Sequence, residues 1–200
     1  MRGWLTFSKF IDKINTGVGW MMMWMILAST LISCVNAIVR KVFDIGSNAF
    51  LEVQWYLFAT SFLLAAGYTL LNNEHVRIDV VSSRFTKRTQ IWMDIIGLVV
   101  FLIPVCLAIL WFSTPFVLNG IRSGEVSANA GGLILWPVYV VLPLGFGLLL
   151  AQAISELIKR FAFLNGLIDD PTSKKGERSA EEELAEAIRL LAESKAKAAA

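Results

Sequence analysis

His75 is the only histidine in this 200-residue chain, and it stands in a His-x-Arg-x-Asp run with Arg77 and Asp79. One imidazole cannot supply both axial ligands of a bis-histidine membrane haem, so haem-based electron carriage is not expected. The two cysteines, Cys34 and Cys106, both fall in apolar stretches, where a thiol packs as a small hydrophobe and makes neither a disulfide framework nor a metal motif. A glycine-rich phosphate loop, a nucleophile elbow and a His/Cys cluster are all missing from the sequence. No catalytic residue, metal ligand or cofactor site is therefore expected, and the chain is not expected to be an enzyme.

The other groups that could do chemistry are charges, and their spacing is set by what they avoid. No Asp, Glu, Lys or Arg occurs between Lys13 and Arg40, Glu52 and Glu74, Asp94 and Arg122, or Glu125 and Glu156. A helix needs roughly 20 apolar residues to cross about 30 Å of hydrocarbon, and each of these runs is long enough. They predict spans at about 17–39, 50–72, 91–113 and 133–158. A composition that is 56% hydrophobic agrees, as does a mean hydropathy of +0.62. The spans must be helical, because a segment in lipid satisfies its backbone N–H and C=O groups only within itself. The first run is too long for the roughly 7–15-residue apolar region of a signal peptide, so it is expected to remain as an anchor. The fold class is all-α: a polytopic four-transmembrane-helix bundle over residues 1–165.

The Lys/Arg distribution sets the expected orientation. Arg2, Lys9 and Lys13 precede the first span, Arg77, Arg84, Lys87 and Arg88 separate the second from the third, and Lys159 and Arg160 close the fourth. Only Arg40, Lys41 and Arg122 fall on the other side, which predicts cytoplasmic N- and C-termini. Tryptophans favour headgroup depth, so Trp20 and Trp92 are expected at the inner boundary and Trp55, Trp111 and Trp136 at the outer one. Residues 74–92 mix apolar and basic side chains and suit either a segment lying along the inner interface or a plain charged loop. The outer loop from Thr114 to Gly132 is rich in Gly, Ser and Asn and should turn tightly. After Gly166 a polar tail, residues 166–200, begins with Asp169-Asp170-Pro171 as a helix stop. Within it Ser179 and Glu182 make a capping box, and Leu184, Ile188 and Leu191 mark one face of a short cytoplasmic helix at about 180–196. A net charge of +2, scattered around apolar segments, offers no face for nucleic acid.

A self-sufficient transporter should hold ionisable groups near mid-membrane, where they usually line an ion or solute path. Here Arg40, Glu52, Glu74, Asp94 and Glu156 all sit near span ends, so no substrate-binding residue is expected. Arg40 and Glu52 face each other across a short outer turn, and a pair between them would pin the first span to the second at roughly 0–1 kcal/mol. Small residues let helices approach closely in lipid. Ser29, Ser33 and Ala37 form one such stripe, and Gly147, Ala151 and Ser155 form another. Pro104 and Pro143 each remove a backbone hydrogen bond and predict kinks.

In order, Asn36, Arg40, Phe43, Glu52, Trp55, Gly67 and the His75-Val76-Arg77-Ile78-Asp79 run resemble the small membrane subunit of TRAP transporters, the tripartite ATP-independent periplasmic importers. A second block, Ser123 to Gly132 with Glu125 and Asn129, followed by Trp136-Pro137 and Ser155 to Arg160, is similar to the subgroup labelled for mannitol and chloroaromatic compounds. Together these matches cover about residues 30–165. Many relatives carry paired acids at the start of the second span, whereas Leu51 precedes a single Glu52 here.

The resemblance implies a sodium-driven importer of organic acids in the bacterial inner membrane. A periplasmic binding protein would capture the substrate, and a large membrane subunit would bind the sodium ions and carry the substrate across. The small subunit would scaffold that carrier and help dock the binding protein, with the bilayer and those two proteins as its partners. Interface candidates are Asn36, Arg40, Glu52, Trp55, Gly67, His75, Arg77, Asp79, Glu125, Asn129, Gly147, Ala151 and Ser155. The helix pattern without the motifs would also suit a homo-oligomeric channel or a structural assembly protein.

Overall fold

The structure, a computed structural model, describes residues 2–44, 46, 48–74, 85–129 and 132–168. His75, Arg77 and Asp79 and the expected tail helix lie outside the described residues. Among the described residues four helices carry the fold: α1, Arg2–Phe43; α2, Asn48–Leu71; α3, Lys87–Ser123; and α4, Trp136–Leu164. Each is long and apolar enough to cross a membrane. Among the described residues the only extended pairing is an isolated antiparallel bridge between Val126 and Ile134. The base of the bundle is the end where α1 starts and α4 finishes, and the crown is the end holding the α1–α2 turn and the α3–α4 loop.

Three helices outrun their expected spans, and packing explains each extension. At 42 residues and 1.5 Å per residue, α1 is about 63 Å long, roughly twice the hydrocarbon thickness. Its first turns stay helical because Ser8, Ile11 and Asn15 are buried. The finish of α4 passes residue 158 because Arg160 and Ala162 are buried as well. Beyond it Gly166 takes a left-handed φ of 70°, and the Leu167 N–H closes back on Ala162 O at 3.0 Å, a Schellman cap.

The third helix corrects the expected Thr114–Gly132 loop. It runs through Pro115 to Ser123 and ends at Gly124, whose φ is 61°. One proline costs one hydrogen bond, but Val117 and Gly120 are buried and the Phe116 ring packs on Tyr139 of α4 at 4.4 Å, so the helix continues. The chain leaves α3 at Gly124 and enters α4 at Trp136. Trp111, expected at the outer boundary, lies nine residues or about 13 Å baseward of Gly120 along this longer helix.

Pro104 is accommodated by a six-residue π-helical stretch, Gly97–Leu102, in which the Ile103 N–H reaches back to Leu98 O. The widened turn makes room for a ring that would otherwise press on the preceding carbonyl.

Helix α4 is the hub. It packs against α1, α2 and α3, whereas α3 rests chiefly on α4. A small core of Leu70, Leu98, Cys106, Leu149 and Ala153 joins α2, α3 and α4. The outer surface carries the bulky apolar residues: Phe62 is 72% exposed and Trp111 78%, as a lipid-facing exterior requires.

Helix backbones approach closely at Gly145, where a Cβ would lie 2.8 Å from the backbone oxygen of Leu63 and 3.0 Å from its carbonyl carbon. The Gly147-Ala151-Ser155 stripe divides within the bundle: a Cβ on Gly147 would meet nothing within 4 Å and Ala151 is half-buried, whereas Ser155 is buried with Gly145, Leu149, Gln152, Ala153 and Glu156. Of the α1 stripe, Ser29 is buried and donates to Gln54 O at 3.2 Å, while Ala37 is exposed.

Candidate functional site

Polar side chains gather at two levels, one at each end of the bundle. At the crown, Glu52 in the second turn of α2 is 5% exposed. Its carboxylate accepts from the Asn129 amide at 2.8 Å, from the Leu133 backbone N–H at 2.7 Å and from the Ser127 hydroxyl. All three donors belong to the α3–α4 loop. That loop closes on itself through Ser127 N–H to Leu133 O at 2.9 Å, Leu135 N–H to Glu125 O at 3.0 Å and Gly132 N–H to Asn129 O at 2.9 Å. The Tyr56 hydroxyl adds a bond to Ile134 O at 3.2 Å. Gly132 is required, since a Cβ there would lie 2.7 Å from Ser127 Cβ and 2.9 Å from Asn129 O.

The expected Arg40–Glu52 pair is not formed. Arg40 is exposed in the last turn of α1, and Glu52 turns its lone pairs to the loop, where three convergent donors satisfy them. The carboxylate therefore ties α2 to the α3–α4 connection rather than to α1.

At the base, α4 presents Gln152, Ser155, Glu156, Lys159 and Arg160. Glu156 and Arg160 are each 1% exposed and pair at 2.5 Å. Arg160 also reaches Asp94 of α3 at 3.3 Å. Lys159 lies 2.8 Å from both Asp12 of α1 and Glu156. Gln152 donates to Asp12 at 3.0 Å and to Glu156 at 3.2 Å, and accepts from the Asn15 amide at 2.9 Å. Ser155 bonds the Ser8 hydroxyl at 2.7 Å and Asp12 at 3.0 Å. Three helices are thereby joined by one network. The Asn15 side-chain oxygen has no hydrogen-bond partner and abuts Gly67 of α2, where a side chain would displace it.

The middle of the bundle is free of charge, but Glu52 and Glu156 are buried and fully engaged. Asp12, Asn15, Ser8, Gln152 and Ser127 escaped sequence reasoning. Asp12 sits beside Lys13 and reads as a flanking charge. Gln152, Glu156 and Arg160 share one face of α4 at steps of four, a spacing that marks a polar stripe.

The other candidates are dispersed. Asn36 is half-buried on α1, Trp55 is exposed on α2, Gly67 is buried against Asn15, and Glu125 is exposed, contributing its backbone oxygen to loop closure. The carboxylates are filled by amide, hydroxyl and cationic donors, and among the described residues no His, Cys, Asp and Glu group is arranged to hold a metal ion. A cavity of about 430 Å³ at the base is lined by Trp4, Leu5, Ile154, Ile158, Phe161 and other apolar side chains, so its walls offer no ligand for an ion or a carboxylate. Chemically, both sites do one thing: they fasten separate segments to each other at the two ends of the bundle.

No curated protein and no solved structure matches the chain. A sequence model of the DctQ component of tripartite ATP-independent periplasmic transporters matches residues 29–163. The match spans all of the crown site and the α3 and α4 parts of the base site, and it leaves out Ser8, Asp12 and Asn15. With more than half of the chain covered, this protein belongs to the DctQ family, the small permease subunits of such transporters.

Proposed function

We propose that the chain is a brace: it holds the large transport subunit of a sodium-driven organic-acid importer in the bacterial inner membrane and helps dock the periplasmic binding protein. The observation that carries this reading is the separation of polar groups into two clamps with an apolar middle. A carrier of a charged solute needs polar groups along its path, whereas a brace needs its helices locked at both faces of the membrane. Both clamps meet the second requirement and neither leaves a free carboxylate for an ion.

The basic residues around the base favour a cytoplasmic base and a periplasmic crown, which turns the Glu52-held loop toward the binding protein. Sodium and the substrate, an oxo-, hydroxy- or dicarboxylic acid by family, bind in the large subunit. The test is expression of this chain alone, and together with its large subunit and binding protein, followed by sodium-dependent uptake of radiolabelled carboxylates and co-purification. Uptake is expected only from the full set. Uptake by the lone chain overturns the brace.

A further inference from the structure

We propose that Glu52 is a positioning residue for docking: its carboxylate holds the α3–α4 loop so that an exposed apolar pair, Val126 and Ile134, stands ready for the periplasmic binding protein. This rests on the reading above that the crown faces that protein.

Val126 and Ile134 are opposite each other in the antiparallel bridge, so both side chains project on one side of the ribbon. They are 56% and 49% exposed, although the loop lies beyond the ends of α3 and α4. Exposed Arg122 and Glu125 flank them, which gives the surface an apolar centre with charges of both signs at its rim, the usual anatomy of a protein-binding patch.

Among the described residues between Gly124 and Leu135 no helix holds this ribbon in place. Its backbone bonds close it on itself, and the Tyr56 hydroxyl adds one tie to Ile134, but its attachment to α2 rests mainly on the Glu52 carboxylate. Two side-chain donors and one backbone N–H converge there. A loop fixed before encounter spares the ordering cost that a loose loop would pay on binding. A carboxylate can accept from all three donors at once. A carboxamide cannot, because its nitrogen must face one of them. Glu52→Gln therefore keeps the shape and loses both a hydrogen bond and the charge that strengthens the other two.

The experiment uses the small and large subunits co-purified into nanodiscs, titrated with the transporter's own binding protein carrying a fluorescent label. Two variants are compared with the unmodified complex: Glu52→Gln, and Ile134→Lys, which alters the exposed pair without touching Glu52. Glu52→Gln is expected to raise the dissociation constant about tenfold, roughly the loss of one charge-assisted hydrogen bond, with the large subunit still retained in full. Ile134→Lys is expected to weaken binding at least as much. If Ile134→Lys weakens binding and Glu52→Gln does not, the crown still docks the partner and the role of Glu52 is refuted. If Ile134→Lys binds normally, the docking surface itself is refuted. Loss of the large subunit from Glu52→Gln at unchanged affinity for the binding protein assigns Glu52 to assembly and overturns the proposal.

Discussion

Replacing Arg160 by Met tests whether the base network is a buried clamp or a solvated fringe. The guanidinium is 1% exposed and lies 2.5 Å from Glu156 and 3.3 Å from Asp94. Its removal strands the Glu156 carboxylate away from water, and breaking a buried pair from one side costs about 3–5 kcal/mol. Lys159 remains 2.8 Å from Glu156, so the lower end, about 3 kcal/mol, is expected. For a chain of this length each kcal/mol lowers the melting temperature by about 2–4 °C, which makes the expected fall about 6–12 °C. The assay is thermal unfolding of the purified chain in detergent micelles, following tryptophan fluorescence. Glu156→Gln combined with Arg160→Met removes both charges, so the double variant should recover at least half of the loss. A single variant that melts within about 1 °C of the unmodified chain, or a double variant whose losses simply add, would refute the buried clamp, because solvated charges uncouple.

Three other outcomes follow from the packing. Gly145→Ala forces a Cβ to within 2.8 Å of Leu63 O and should destabilise the bundle by about 1–3 kcal/mol. Gly147→Ala meets open space and should be neutral or stabilising by up to about 1 kcal/mol, so equal melting temperatures for the two would contradict the assigned helix faces. Gly132→Val should open the α3–α4 loop, seen as faster proteolysis between residues 124 and 135 with the melting temperature of the helices unchanged. Spin labels at Trp55 and Trp92 should report headgroup depth and one at Trp111 a deep, oxygen-rich position; a shallow label at Trp111 would displace α3 along its axis.

The four spans were legible because lipid imposes a length: a run free of charge and near 20 residues long has one stable form in hydrocarbon, and the chain holds four such runs. The motif order, Arg40, Glu52 and Gly67 ahead of the second block from Ser123, was enough to show the family. What each residue touches was not legible. Arg40 and Glu52 are neighbours in sequence, yet Glu52 turns to Ser127, Asn129 and Leu133, more than seventy residues away.

The helix ends were misjudged where tertiary contacts extend them. Composition marks Thr114–Gly132 as a loop, but Gly120 sits against Tyr139 of α4, and that contact keeps the chain helical to Ser123. The base network was hidden for a related reason. A charge next to a span end looks wet in one dimension, and only the convergence of α1, α3 and α4 removes Glu156 and Arg160 from water and makes Asp12 their partner. Hydrophobic length is a property of a segment by itself, and the sequence determined it. Burial and partnership are properties of how segments meet, and only the tertiary structure decided them.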